Sequence, residues 1–368
     1  MIGGIEIDKL ILTETKQLTL LNFNSIAEEI KTLTKSILDN RWKIAEKLFY
    51  IKNHWDEYKK QDDFLYKTFQ QFIKDYYGWS RAEAHTYIEA HKFKELLTEK
   101  CTSARTYETL DISTAEKLNV LSKIDENESI SIIEDNPDIT LKEVNEEIKQ
   151  VRRKKISDEG KKIDVKKLNI DLRLGDFIEV LDDIPDNSID LILTDPPYPI
   201  EFIDEWDKLG QFAKCKLKPN GFCISYSGHK NIYKVMEKMN KYLDYYWMMA
   251  LIHTGHTQLI TFNNIEANWK PILIYQKGFK KHDKNIVDII KGTGRNKDNH
   301  DWEQSMNELQ QIIETFTYEN ELIVDPFAGS GTTLIISKNL KRNCIGAEVD
   351  KDTFNIAKKR IKDELGNF

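Results

Sequence analysis

Residues 322–348 constrain the fold more than any other stretch of this chain. Leu322-Ile323-Val324 is apolar, Asp325-Pro326-Phe327-Ala328-Gly329-Ser330-Gly331 is a loop of small residues, and Thr332 to Leu340 has helical spacing. A second apolar run, Cys344-Ile345-Gly346-Ala347, ends at Glu348. Strand, glycine loop, helix and strand in this order make a βαβ unit, which belongs in a parallel sheet covered by helices. From Leu168 onward, β-type runs alternate with helical stretches, so the second half is expected to be a Rossmann-like α/β domain. The glycines let a ligand approach the helix N-terminus closely. The acid at the end of the next strand, about 20 residues on, stands where dinucleotide folds hold ribose hydroxyls. The loop is not G-x-G-x-x-G, carries no basic side chain and lacks the Gly-Lys-Ser/Thr of a P-loop. A nucleoside without phosphates fits it better.

The first half reads differently. From about Ser25 to Arg153 the pattern is helical, with Ile26, Ile30, Leu33 and Ile37, then Trp42, Ala45, Leu48 and Ile51, at helix spacing. The expected division is a helical domain over 1–150, a basic linker over 151–167 and an α/β domain over 168–368. Within the helical half, Phe72-Ile73 and Tyr76-Tyr77 share a helix face. Gly78-Trp79-Ser80 breaks that helix with Ser80 as N-cap, and a second helix runs from Arg81 through Ala84, Tyr87 and Ile88 to Phe93. This is the outline of a helix-turn-helix, similar to the turn of small phage and plasmid DNA-binding domains; an ordinary helical hairpin gives the same pattern.

A second signature stands earlier in the chain. The apolar run Ile189-Asp190-Leu191-Ile192-Leu193-Thr194 reads as a buried strand and ends at Asp195-Pro196-Pro197-Tyr198. A carboxylate, two stiff prolines and an aromatic ring at a strand's carboxyl end suit the binding of a planar base with its amino group. A rigid turn after a strand is the plain alternative. The composition narrows the field. The net charge of −7 announces no nucleic-acid partner globally, so any such contact must come from local basic patches. No apolar run is long enough to span a membrane, and Met1-Ile2-Gly3-Gly4-Ile5-Glu6 is no signal peptide. Four cysteines without C-x-x-C spacing argue against a disulfide framework or structural zinc and suit a reducing cytoplasm.

Together these motifs resemble the amino-group DNA methyltransferases, which methylate adenine N6 or cytosine N4. The resemblance covers about Leu168 to Ile361, and D-P-P-Y preceding F-x-G-x-G-T-T is the permuted order of the β group. Leu174-Gly175-Asp176-Phe177, Asp186-Asn187-Ser188-Ile189-Asp190, Leu217-Lys218-Pro219-Asn220-Gly221, Trp269-Lys270-Pro271-Ile272 and Glu348-Val349-Asp350 supply the intervening landmarks. The resemblance implies S-adenosylmethionine as methyl donor and no metal. It implies that Asp195 and the Pro196 carbonyl accept hydrogen bonds from the target amine, that Pro197 shapes the loop, and that Tyr198 stacks on a flipped-out base. On the cofactor side it implies Asp176, Phe177, Asp195, Gln304, Ser305, Asp325, Phe327, Gly329, Ser330, Gly331, Thr332 and Glu348. D-P-P-Y favours adenine N6, with cytosine N4 as the closest alternative; methylation of RNA or a free nucleotide, or a DNA-binding regulator without turnover, are more distant ones. Double-stranded DNA is the expected partner, a homodimer is admitted, and a restriction-modification or phage setting fits the family.

Three departures and several side candidates qualify the match. Pro199 follows the tetrapeptide where Asn or Gly is common. His300-Asp301-Trp302-Glu303-Gln304-Ser305 lacks the family's Lys-Pro. The segment Lys277 to His300, where relatives often read their target, is short, basic and glycine-bearing; it suits phosphate contact or a plain solvated loop. Arg152-Arg153-Lys154-Lys155 divides the same way between phosphate contact and solvated linker. His253 and His256 suggest a metal pair, although a loop beside the DNA cleft is the preferred reading. Cys215 and Cys223 read as packing residues, and Tyr242, Tyr245, Tyr246 and Trp247 as a core strand with its edge.

Overall fold

The computed structural model describes residues 40–60, 66–100, 110–252, 258–260, 265–292 and 303–366, and divides into two compact units, Met1–Arg152 and Arg153–Phe368. The expected helical positions Ile26 to Ile37, and His253 with His256, lie outside the described residues.

The first unit is helical. Residues 40–53 and the helices Arg81–Lys100, Ile112–Ser122 and Glu126–Asp135 enclose Ala45, Ala90, Phe93, Leu118, Leu121 and Ile133, all essentially without exposure. The turn at Gly78 forms as its chemistry requires. A π-helical turn Ile73–Tyr77 ends at Gly78 with φ 70°, a left-handed conformation that suits glycine. Ser80 and Glu83 then form a reciprocal capping box. The Ser80 N–H donates to Glu83 Oε2 at 2.7 Å and the Glu83 N–H donates to Ser80 Oγ at 3.2 Å. Inside the unit, burial works to raise the Glu89 carboxyl, but hydrogen bonds from Lys123 and Lys92 outweigh it and hold Glu89 at about 2. The Asn119 amide donates to the same carboxylate at 2.9 Å.

The second unit is an eight-stranded mixed sheet with helices, the Rossmann-like α/β architecture expected from the sequence. Its strands are β1 (Asp171–Leu174), β2 (Ile189–Thr194), β3 (Leu217–Tyr226), β4 (Asp244–Ile252), β7 (Trp269–Gln276), β8 (Ile289–Lys291), β9 (Leu322–Asp325) and β10 (Asn343–Glu348). They lie in the order β1-β10-β9-β2-β3-β7-β4-β8, while β5 (Gln258–Ile260) and β6 (Ile265–Ala267) form a separate hairpin. The five strands β1, β10, β9, β2 and β3 are mutually parallel, and β7 is antiparallel to β3 and β4. The centre of the sheet is buried on both faces, which is why β2 reads as a nearly continuous apolar run. Ile192 and Val324 join one core and Leu191, Leu193 and Ile323 the other.

The basic segment expected as a linker is mostly helix: Leu141–Lys161 is one continuous helix. Its end packs within the second unit against the helix Lys351–Leu365. Gly160 is required there, because a Cβ at that position would lie 1.8 Å from the Asn355 carbonyl oxygen. Ser157 Oγ donates to Asp352 at 2.8 Å, and Arg153 binds Asp350 at 3.0 Å. Arg153 therefore has an exposed intramolecular partner. Among the described residues no helix is long and apolar enough to cross a membrane.

Candidate active site

The sheet order brings four chain-distant loops to one edge. From β9 the chain passes through a helix to β10 on one side. From β2 it passes through a helix to β3 on the other. The point between β9 and β2 is therefore a topological switch point, where open α/β sheets bind their ligands. Asp176 follows β1, Asp195 follows β2, Asp325 ends β9 and Glu348 ends β10. Every one of them stands at the carboxyl end of a parallel strand.

The two sequence signatures are joined directly at this point. Thr194, the last residue of β2, donates its hydroxyl to Asp325 Oδ1 at 2.6 Å, in a buried hydrogen bond between residues 131 positions apart. The Phe327 N–H donates to the same oxygen at 3.1 Å, and Thr333 supplies a further hydrogen bond. Asp325 is only 3% exposed. Burial pushes its carboxyl up to about 6, against the lowering effect of these hydrogen bonds. Its carboxylate thus ties the D-P-P-Y strand to the glycine loop.

The glycine loop forms as its residues dictate. Gly329 (φ 54°) and Gly331 (φ 81°) are left-handed, and Gly331 caps the helix Thr332–Asn339. The Gly329 N–H donates to Glu348 Oε2 at 2.9 Å and the Asp350 N–H to Glu348 Oε1 at 2.8 Å. Burial raises the half-buried Glu348 carboxyl, and these backbone donors oppose it. Ser330 and Thr332 both accept from the Arg360 guanidinium, at 2.9 and 2.5 Å. Phe327 is half-buried. Phe177 beneath it is 3% exposed and packs against Phe327 and Phe212, with ring centroids 5.1 and 5.6 Å apart, so it supports the loop from the core. Asp176 caps the short helix Phe177–Val180 through its Oδ1 and lies 3.8 Å from Lys208. Gln304 and Ser305 fall in the first turn of the helix Glu303–Phe316, and only their backbone is described.

The acceptor side is compact. Pro196 is buried and Asp195 exposed. The Tyr198 hydroxyl donates to Asp195 Oδ1. Burial, reinforced by the Asp195 charge, drives the phenol far above its ordinary range, so it stays protonated. Trp206 Nε1 donates to the Pro197 carbonyl at 3.2 Å and Asn231 Nδ2 to the Tyr198 carbonyl at 3.3 Å, fixing the loop from behind. Gly228 lies close beside it: a Cβ there would meet the Tyr198 side chain at 3.2 Å, a tight contact. Pro199 precedes a short 3₁₀ turn, Ile200–Phe202.

Sequence reasoning missed one cation here. Lys270, near the start of β7, lies 3.1 Å from Asp195 Oδ2 and 3.3 Å from Oδ1. Its ammonium also stands 4.7 Å from the ring centres of both Tyr198 and Tyr226. The half-buried Glu308, raised by burial and opposed by Lys270, faces the same cation. The signal was present in the sequence as a charge within an otherwise apolar strand.

Comparison with known proteins agrees with this geometry. A family model described as DNA methylase matches residues 189–359. The Type II methyltransferase M2.DpnII of Streptococcus pneumoniae is 30% identical over 251 residues, covering 52% of this chain and 88% of that protein. The Type II methyltransferase M.HpaI of Haemophilus parainfluenzae is 26% identical over 237 residues, covering 52% and 74%. The solved M1.HpyAVI-SAM complex has a TM-score of 0.44 and 24% identity, with 52% of this chain and 98% of that one aligned. The match to the DNA methylase family model and the 30% identity to M2.DpnII over 88% of its length, together with the permuted motif order, show that the chain belongs to the amino-group (N6/N4) DNA methyltransferase family, whose methyl donor is S-adenosylmethionine.

Proposed function

We propose that the protein methylates adenine N6 at specific sites in double-stranded DNA. The observation that carries this reading is the placement of Asp195. Its carboxylate is exposed at the switch point beside Tyr198, and its strand is tied through Thr194 and Asp325 to the glycine loop. An aspartate in the first position of the tetrapeptide favours adenine over cytosine within this family. A flipped base would stack on Tyr198, and its amino group would donate to Asp195 and to the Pro196 carbonyl. Those acceptors draw the amine toward tetrahedral geometry and free the nitrogen lone pair, which is otherwise delocalised into the ring. The residues contribute mainly positioning and electrostatics, and no covalent enzyme intermediate is needed.

The donor set at the glycine loop fits S-adenosylmethionine. Glu348 is a half-buried carboxylate suited to ribose hydroxyls and repelling to phosphates, and the left-handed glycines open the helix N-terminus. Bound there, the cofactor supplies an electrophilic sulfonium methyl group. Phe327, Gly329, Ser330, Gly331 and Thr332 would line its methionine and ribose, with Asp176 toward the adenine end. Glu348→Ala is expected to weaken cofactor binding roughly 10- to 100-fold, the loss of hydrogen bonds to a charged group. Titration calorimetry with S-adenosylmethionine checks this, and an unchanged affinity removes Glu348 from the cofactor site.

The first unit is the proposed DNA reader. Lys52, Arg81 and His85 line a cleft beside the Gly78 turn, at the start of the helix Arg81–Lys100. Arg81→Glu is expected to weaken duplex binding about 10-fold and to flatten its salt dependence, because a phosphate contact is lost. Cofactor affinity should not move. Equal DNA affinity and salt slope in the variant would take this helix off the DNA.

A further inference from the structure

The acceptor pocket contains a second polar group that the family motif does not account for. Lys270 is three-quarters buried at its side chain and is held against Asp195 and two tyrosine rings. Asp195 can only accept hydrogen bonds when ionised, and an ammonium can only donate. The pocket therefore presents an acceptor and a donor side by side, 3.1 Å apart. Adenine carries the complementary pair on its Watson–Crick edge, the N6 amine beside the N1 acceptor. Cytosine carries the same pair as N4 and N3. Guanine and thymine carry the reverse, a carbonyl beside a ring N–H, and would set an oxygen against Asp195 and an N–H against Lys270. Tyr198 and Tyr226 flank the ammonium, and Glu308 faces it from the helix Glu303–Phe316, so the cation is compensated without leaving the pocket.

We propose that Lys270 reads the ring nitrogen adjacent to the target amine and, with Asp195, selects amino-bearing bases. This rests on the reading of Asp195 as the amine acceptor. In the structure the Tyr198 hydroxyl and Lys270 together fill Asp195. An entering base displaces the tyrosine hydroxyl from the carboxylate and keeps Lys270 as its neighbour.

The test uses the full chain and duplexes carrying the target site defined by mapping the methylated product. In one duplex the target adenine is replaced by 1-deazaadenine, which keeps the 6-amino group and replaces N1 by C–H. If the product is N4-methylcytosine, 3-deazacytosine takes its place. Single-turnover rates at saturating S-adenosylmethionine are compared for the wild type and Lys270→Met. Loss of a charge-assisted hydrogen bond makes the wild type roughly 10- to 100-fold slower on the analogue than Lys270→Met's own ratio predicts. The analogue's altered amine reactivity is common to both enzymes and cancels in that comparison. Lys270→Met should be slow on both substrates, indifferent to N1 and unchanged in cofactor affinity. Equal ratios in the two enzymes would reduce Lys270 to a positioning residue for Asp195 and overturn the proposal, as would loss of cofactor binding in a folded variant.

A measurement on the wild type alone covers the case in which the variant does not fold. With the target base opposite an abasic site, so that no base pair must break, the analogue should bind about 10-fold more weakly than adenine; equal affinities overturn the proposal. Absence of wild-type transfer to any DNA base is a different result, and it fails the proposed function itself.

Discussion

Asp195→Ala is expected to lower the rate of methyl transfer at least roughly 10²- to 10³-fold, the usual cost of removing a group aimed at developing charge. The geometry leaves no charged substitute among the neighbours described at Asp195. The Pro196 carbonyl can hold one amine hydrogen, but the Lys270 ammonium offers no acceptor and the neutral Tyr198 hydroxyl is a far weaker one than the carboxylate. Removing the carboxylate also strands Lys270 beside Glu308 and two rings, where a donor would meet the incoming amine. Asp195→Asn keeps the shape and one acceptor oxygen and should fall between the two. Cofactor affinity should be retained in both variants, since Glu348 and the glycine loop are built on β9 and β10. Single-turnover assays with cofactor titration read both quantities, and an Asp195→Ala enzyme of full activity would sink the assigned mechanism.

The second large effect concerns Asp325. Asp325→Ala leaves the Thr194 and Thr333 hydroxyls without this acceptor in a buried site, and leaves the Phe327 N–H only its longer bond to Thr194 Oγ1 at 3.3 Å. The expected cost is about 2–4 kcal/mol of stability, because buried donors then go unsatisfied. Transfer should fail together with stability, as the loops of the two motifs lose their tie. The pH dependence follows from the raised carboxyl. A folded-state value of about 6 lies above the ordinary 3.8, so the folded protein holds this proton more tightly than the unfolded chain. The resulting stabilisation is fully present below pH 3.8 and is lost as pH rises through 6. It amounts to at most about 3 kcal/mol. Asp325→Asn carries no such proton. The wild type should therefore lose stability relative to Asp325→Asn between pH 4 and 7 in denaturant titrations. A stability difference independent of pH would contradict the raised carboxyl.

What was legible in the sequence is what local chemistry encodes. The run from Leu322 to Glu348 forms strand, loop, helix and strand because apolar spacing and two glycines demand it. Ser80 caps its helix because Ser-x-x-Glu satisfies two backbone donors at once. What stayed hidden depends on distant partners. Nothing near Thr194 or Asp325 announces that they meet, because the sheet order that brings β2 beside β9 is set by the whole domain. Lys270 stood in the sequence only as part of the landmark Trp269-Lys270-Pro271-Ile272, and the antiparallel entry of β7 carries it to Asp195. The basic run around Arg153 read as phosphate contact or solvated linker, since its charges resemble a surface. Gly160 and Ser157 reveal the packing only once the helix Lys351–Leu365 stands against them.

Adenine-N6 methylation of DNA can be read for donor, acceptor and atom together in one assay. The 368-residue chain is incubated with methyl-labelled S-adenosylmethionine and unmethylated duplex DNA, and the digested nucleosides are identified by mass. The expected product is labelled N6-methyldeoxyadenosine. Label in N4-methyldeoxycytidine would keep the site chemistry and contradict the assigned base, and DNA without label would contradict the account as a whole.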